Sequence, residues 1–154
     1  MRPADGGMSV DLPDLWLQGR TVFGGLQAAV LVRAMRAHCG PDVPLRSLQI
    51  SFVAPVPAGR VLVTTRLLRQ GKSVSHVEAR ITLDGQDACV GVGIFGAARE
   101  SKLAIVPSRP LATAKPEADS KPLPFIPGRS PAFAEHVEMR FGAGRFPFTG
   151  GSEP

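Results

Sequence analysis

The chain has no tyrosine, a single tryptophan and only two cysteines among its 154 residues. Cys39 and Cys89 stand fifty positions apart, without metal-ligand spacing. They read as reduced thiols of a cytoplasmic protein. His38, His76 and His136 fall on different stretches with no cysteine or carboxylate at ligand spacing, so no metal site is expected. No apolar run approaches the ~18 residues that span a bilayer, so no membrane partner is expected. The opening Met-Arg-Pro-Ala-Asp-Gly-Gly lacks the apolar segment of a secretion signal. No Gly-x-Ser-x-Gly occurs, which removes support for a nucleophile-elbow hydrolase. The aromatics are eight phenylalanines and the tryptophan, and the basic residues are scattered. That pattern offers no stacking platform for nucleic acid.

What is present suits one domain of ordinary size, or one domain with a tail. The residues are 44% hydrophobic, enough for a core. The net charge of +5 favours anionic partners. By itself it does not separate nucleic acid, a membrane surface and a phosphate-bearing cofactor.

The chain centres on Gly24–His38. After Gly24-Gly25 it is free of proline and rich in Ala, Leu, Met and Arg, so it reads as one helix. Its polar sector is only Arg33 and Arg36, about 60° apart on a helical wheel. Val30, Ala34, Leu31, Met35, Ala28 and Val32 cover most of the remaining circumference, so the helix is expected to be wrapped on several sides. Gln27 projects near Leu31 and Ala34. It is either a satisfied core amide or a ligand contact.

Residues 1–14 carry Pro3, Gly6, Gly7 and Pro13 and read as a flexible start; 15–23 gather β-favouring residues before the glycines. Gly40-Pro41 stops the helix. Four strands follow. In 45–54, Leu48, Ile50 and Phe52 alternate with polar residues. Residues 60–69 are rich in Val and Thr. In 74–83, Val77, Ala79, Ile81 and Leu83 face one way, and His76, Glu78, Arg80 and Thr82 the other. Asp84-Gly85 is a hairpin signal. Residues 87–97 hold Gly91, Gly93 and Gly96, which fit a strand only where something approaches closely. Seven prolines between Pro107 and Pro131 make 101–131 a linker. Alternation then returns over Phe133–Phe141 as a fifth strand, so 132–154 reads as the start of a further domain.

One apolar helix and four short-linked strands make an α+β domain whose antiparallel sheet curls around the helix, the hotdog fold. Val22-Phe23-Gly24-Gly25-Leu-Gln-Ala-Ala, Leu45-Arg46-Ser-Leu-Gln-Ile-Ser-Phe-Val-Ala-Pro-Val-Pro-Ala-Gly, Leu68-Arg69-Gln-Gly71-Lys72-Ser73-Val74 and the Gly96 end of the last strand carry a resemblance. Together they resemble the first half of TesB-like (type II, double-hotdog) acyl-CoA thioesterases, over about residues 15–100. The resemblance implies hydrolysis of acyl-CoA to fatty acid and CoA. It also implies pairing of two hotdogs, as a homodimer or with a second-half polypeptide, and makes 132–154 the start of a truncated second hotdog. In that family the catalytic aspartate lies in the second half. The helix here has no acidic residue, so no carboxylate is carried over.

Under this resemblance Gly24 and Gly25 either permit a tight strand-to-helix turn or open backbone N–H donors to a thioester carbonyl. Gln27 could orient a water or the carbonyl, but it does not titrate. Arg69, Gly71, Lys72 and Ser73 form the best anion site, suited to CoA phosphates, with a solvated hairpin as the plain alternative. That turn is not a P-loop, since Arg66 stands five positions before Gly71. Glu78 is expected to pair with Arg80 or across its strand. No separate cofactor is implied, since CoA is part of the substrate. The alternative function is a non-catalytic acyl-CoA binding module.

Overall fold

The computed structural model describes residues 2–4, 7–103, 105 and 114–144. In chain order the elements are β1 (Arg2–Ala4), β2 (Gly7–Leu12), β3 (Leu17–Gln18), β4 (Thr21–Val22), α1 (Gly24–Met35), β5 (Leu45–Phe52), β6 (Gly59–Gln70), β7 (Val74–Leu83), β8 (Gln86–Gly96), β9 (Lys121–Leu123) and β10 (Met139–Phe141). The chain forms two compact units. One is Met1–Glu100 with Pro131–Phe133, and the other is Ser101–Ser130 with Ala134–Pro154.

In the first unit a six-stranded antiparallel sheet has the order β1-β2-β6-β7-β8-β5. The helix packs on β6, β7 and β8. This is the hotdog fold anticipated from the sequence. At the β7–β8 turn, Asp84 and Gly85 take φ of 49° and 77°, the positive pair that a tight hairpin needs. Val77, Ala79 and Ile81 are buried, as their alternation requires. The strand glycines also find their reason. A Cβ on Gly91 would lie 3.0 Å from Leu31 Cδ1, and one on Gly93 would lie 2.7 Å from Met35 Sδ. The helix therefore rests directly on the β8 backbone.

Three expectations are corrected. First, the burial of the helix is confined to the one face that the sheet curls over, rather than spread over several sides. Gln27, Val30, Leu31, Ala34 and Met35 are buried at i, i+3, i+4, i+7 and i+8. Gly25, Ala29 and Arg33 are exposed. Glycine and alanine present so little apolar surface that this stripe needs no cover. The α-helix ends at Met35, and Arg36–His38 tightens into a 3-10 turn. Arg36 Nη1 donates to the carbonyls of Pro41 (3.0 Å) and Val43 (3.1 Å), which pins the exit from the helix.

Second, part of 1–14 is not a loose start. β2 pairs with β6 from Met8↔Val63 to Leu12↔Gly59, and Val10 and Leu12 join the core. A short alternation, Val10 and Leu12 against Ser9 and Asp11, was hidden among prolines and glycines.

Third, Phe133–Phe141 is not one strand. Residues Ala132–His136 form a 3-10 turn. Among the described residues of the second unit only Met139–Phe141 pairs, with Lys121–Leu123. That partner strand contains Pro122 and is followed by Pro124, which donate no ladder hydrogen bonds, so the pairing stays short. The proposed start of a second hotdog over 132–154 falls partly on 145–154, outside the described residues. Among the described residues no helix is long and apolar enough to cross a membrane.

Candidate functional site

The start of α1 is fixed by the chain before it. Val22 N–H donates to the Val56 carbonyl (2.7 Å), and Phe23 N–H donates to that of Trp16 (2.8 Å). Thr21 Oγ1 accepts from the Val56 N–H at 3.0 Å. In the first turn, Leu26 and Gln27 N–H both donate to the Phe23 carbonyl, at 3.0 and 3.2 Å. That leaves the N–H groups of Gly24 and Gly25 without a hydrogen-bond partner among the described residues. They are orphan donors at the positive end of the helix dipole.

Beside them lies Gln27, only 2% exposed. Its Nε2 donates to the Val22 carbonyl at 2.6 Å, which fixes the orientation of the amide. Its Oε1 is buried and has no partner among the described residues. An acceptor stripped of water without a replacement donor costs about 1–3 kcal/mol. A folded chain retains such a group where something else supplies the donor.

Gly24 and Gln27 line a cleft of about 390 Å³ together with Gln18, Thr21, Val22, Phe52, Val53, Ala54 and Pro55. The cleft is mostly apolar, and none of its lining side chains carries an acid or a base. The glycines serve two ends here. A Cβ on Gly24 would come 2.9 Å from the Phe52 ring, and one on Gly25 would collide with the Phe23 ring. Both aromatic rings therefore need these glycines, whatever the backbone donors bind. Phe52 and Val53 are 58% and 60% exposed at the end of β5, on the cleft wall. The sequence reading placed Phe52 on the strand's apolar face and gave Val53 no role. Nothing local in the sequence brings either residue to Gly24.

Gly71, Lys72 and Ser73 line a separate hollow of about 170 Å³ with His38 and Cys39, just past the other end of the helix. Twelve residues of α-helix measure about 18 Å, so this turn and the Gly24–Gln27 group stand at opposite ends of α1. The two groups of candidate residues do not come together. Arg69, also expected at the anion site, is exposed and does not line the hollow.

Residues 12–96 match the family of the acyl-CoA thioesterase N-terminal domain. The chain belongs to that family. No curated protein matches it in sequence. Among solved structures, a hotdog protein of unknown function from Alicyclobacillus acidocaldarius superposes with a TM-score of 0.71 at 20% identity, over 86% of this chain and 48% of its own. A candidate thioesterase II from Thermobifida fusca gives 0.71 at 20% identity, over 87% of this chain and 48% of its own. Thioesterase superfamily member 2 from Mus musculus gives 0.53 at 19% identity, over 58% and 78%. At such identities the likeness speaks for the fold alone. This thioesterase-family chain spans about half the length of the first two relatives.

Glu78, Arg80 and His38, polar residues elsewhere in the thioesterase N-terminal domain, have structural partners. Glu78 accepts from Arg80 Nε at 2.9 Å and from Arg66 at 3.4 Å, and Arg80 also pairs with Asp87. The hydrogen bond from Arg80 holds the Glu78 carboxyl below its ordinary pKa of 4.5. The expected pairing of Glu78 with Arg80 is therefore present, on the face of β7 opposite the buried Val77 and Ala79. His38 Nε2 lies 2.8 Å from Thr65 Oγ1 and ties the helix end to β6. Both cysteines are free, and burial pushes the Cys89 thiol up to about 11. No cluster of three or more His, Cys, Asp or Glu among the described residues could hold a metal ion.

Proposed function

We propose that the cleft at the start of α1 holds the thioester of an acyl-CoA, in a TesB-like thioesterase that releases free fatty acid and CoA. The observation that carries this reading is the pairing of an unpartnered, buried Gln27 Oε1 with two unpartnered backbone N–H groups. Hydrolysis adds water to the thioester carbon. The carbonyl oxygen becomes an oxyanion, which then expels the CoA thiolate. The Gly24 N–H, on the cleft wall, supplies a donor for that oxygen, and the Gly25 N–H follows it on the same helical turn. Gln27 Oε1 supplies an acceptor for a water O–H.

One part is missing from the cleft. The attacking water must lose a proton, and no lining residue can take it. We assign that role to a second hotdog, in a homodimer or a paired polypeptide. The outer edge of β5 is unpaired among the described residues and ends at Phe52, beside the cleft. An added strand there would bring new side chains to Gly24 and Gln27 and would remove an open sheet edge. The turn Arg69–Ser73 is not part of this reading. The absence of an ionisable lining residue also favours a second reading, a module that binds acyl-CoA without cleaving it. The reduced thiols fit a cytoplasmic setting for either.

The test is calorimetric binding of a ketone analogue of acyl-CoA, with a methylene replacing the sulfur, alongside a thiol-release assay on acyl-CoA. Saturable binding that weakens at least tenfold in Gln27→Leu is expected, with hydrolysis by residues 1–154 alone close to background. Failure to bind the analogue would refute the reading of the cleft. Rapid hydrolysis by these residues alone, without self-association, would refute the assignment of the proton acceptor to a second hotdog.

A further inference from the structure

The turn between β6 and β7 has no part in the cleft, yet its composition is unusual. β2 accompanies β6 only as far as Met8↔Val63. From Thr64 to Gln70 the outer edge of β6 has no strand beside it among the described residues. The β6–β7 register shifts between Leu67 and Arg69, so Leu68 faces no residue of β7. Leu67, Leu68 and Val74 are 37%, 43% and 36% exposed on this one hairpin tip. Arg66, Arg69 and Lys72 are exposed among them, and no acidic residue occurs between Arg66 and Val77. Arg66 shares Glu78 with Arg80, whereas Arg69 and Lys72 make no ion pair among the described residues.

We propose that the β6–β7 hairpin tip docks this domain on an anionic lipid bilayer. Arg69 and Lys72 would meet lipid phosphates, while Leu67, Leu68 and Val74 enter the boundary between headgroups and acyl chains. Cations alone would suit any acidic partner. Cations interleaved with open leucines suit a surface that is anionic outside and apolar a few ångströms below. Arginine and lysine side chains can lay their aliphatic stems along such a boundary and keep their charges in water. The lack of a spanning segment does not bear on this contact, which is made from one side. The plain alternative is that Arg66 and Arg69 only guard an open strand edge against self-pairing. This proposal is independent of the cleft and stands or falls separately.

The test is co-sedimentation of residues 1–154 with phosphatidylcholine vesicles, with and without phosphatidylglycerol, at low and physiological salt. Binding is expected only to the anionic vesicles. Arg69→Gln with Lys72→Gln should weaken it on the order of 20-fold, and Leu67→Ser with Leu68→Ser several-fold. Arg20→Gln with Arg33→Gln, an equal loss of charge elsewhere, should change it less than twofold. In the unsubstituted chain, anionic vesicles should slow tryptic cleavage after Arg69 and Lys72, a readout that needs no variant to fold. Three results would each overturn the proposal. One is no anionic-vesicle binding. Another is equal loss from the Arg20 and Arg33 pair, which would mean nonspecific adsorption of a basic protein. The third is unchanged binding in the leucine pair.

Discussion

Replacing Gln27 by leucine should leave the fold about as stable as before while removing ligand binding. Leucine is nearly the same size as glutamine. The substitution loses the bond from Nε2 to the Val22 carbonyl, worth about 1 kcal/mol net. It also removes a buried Oε1 with no partner, whose desolvation costs about 1–3 kcal/mol. The Val22 carbonyl left behind keeps only Thr21 Oγ1 at 3.5 Å, and its own desolvation, about 1–3 kcal/mol, offsets that gain, so the net change should stay within about 2 kcal/mol of zero. Gln27→Glu should destabilise the fold, because it turns a second oxygen toward the Val22 carbonyl and buries an acid. Urea unfolding at pH 7 measures both variants, and calorimetry with the ketone analogue measures binding. A residue kept for a ligand rather than for the fold shows this signature. A leucine variant destabilised by more than about 2 kcal/mol that still binds the analogue would refute the reasoning. Gln27 would then be an ordinary core amide satisfied by internal water.

Gly93→Ala should destabilise the domain by about 1–2 kcal/mol in urea, because Met35 Sδ stands 2.7 Å from the new methyl and Met35 has no exposed surface into which to move. Gly40→Ala, whose methyl would meet only Val43 at 3.6 Å, should be close to neutral. Glu78→Gln should cost at most about 1 kcal/mol at pH 7. The folded pKa of Glu78 lies below 4.5, so its contribution is present above that pH and fades as the pH falls through the folded value. The urea midpoints of the wild type and of the Glu78→Gln variant should therefore converge in acid, and a gap that persisted at pH 2 would contradict the pairing. With a thiol reagent at pH 8, Cys39 should react in the folded chain and Cys89 only on unfolding, since burial keeps its thiol protonated to about pH 11. Equal rates for both in the folded chain would contradict its burial.

The strands and the helix were legible because their periods are clean. Val77, Ala79 and Ile81 alternate, and Asp84-Gly85 marks its own turn. Gly91 and Gly93 announced a close approach, although only the structure shows Leu31 and Met35 making it. The errors have physical causes. Alanine counts as apolar in a helical wheel but needs no cover, so the exposed Gly25–Ala29–Arg33 stripe was misjudged. Val10 and Leu12 show too few periods of alternation to stand out among glycines and prolines, yet the open side of β6 recruits them. The alternation in Phe133–Phe141 lacked a partner strand free of proline. At the candidate site, Gly24, Gly25 and Gln27 could be grouped from sequence because they share one helical turn. Phe52 and Val53 were not, because their approach to Gly24 is a long-range packing event. The Arg69–Ser73 turn carried the right chemistry for an anion, but sequence could not tell which end of the helix it would reach.

The most direct measurement is amide and side-chain NMR of isotopically labelled 1–154, titrated with the ketone analogue of acyl-CoA. The largest shifts should fall on the Gly24 and Gly25 amides and on the Gln27 carboxamide, with smaller ones at Phe52 and Val53. Shifts confined to the far end of the helix, with Gly24, Gly25 and Gln27 unmoved at saturation, would show that the thioester binds elsewhere.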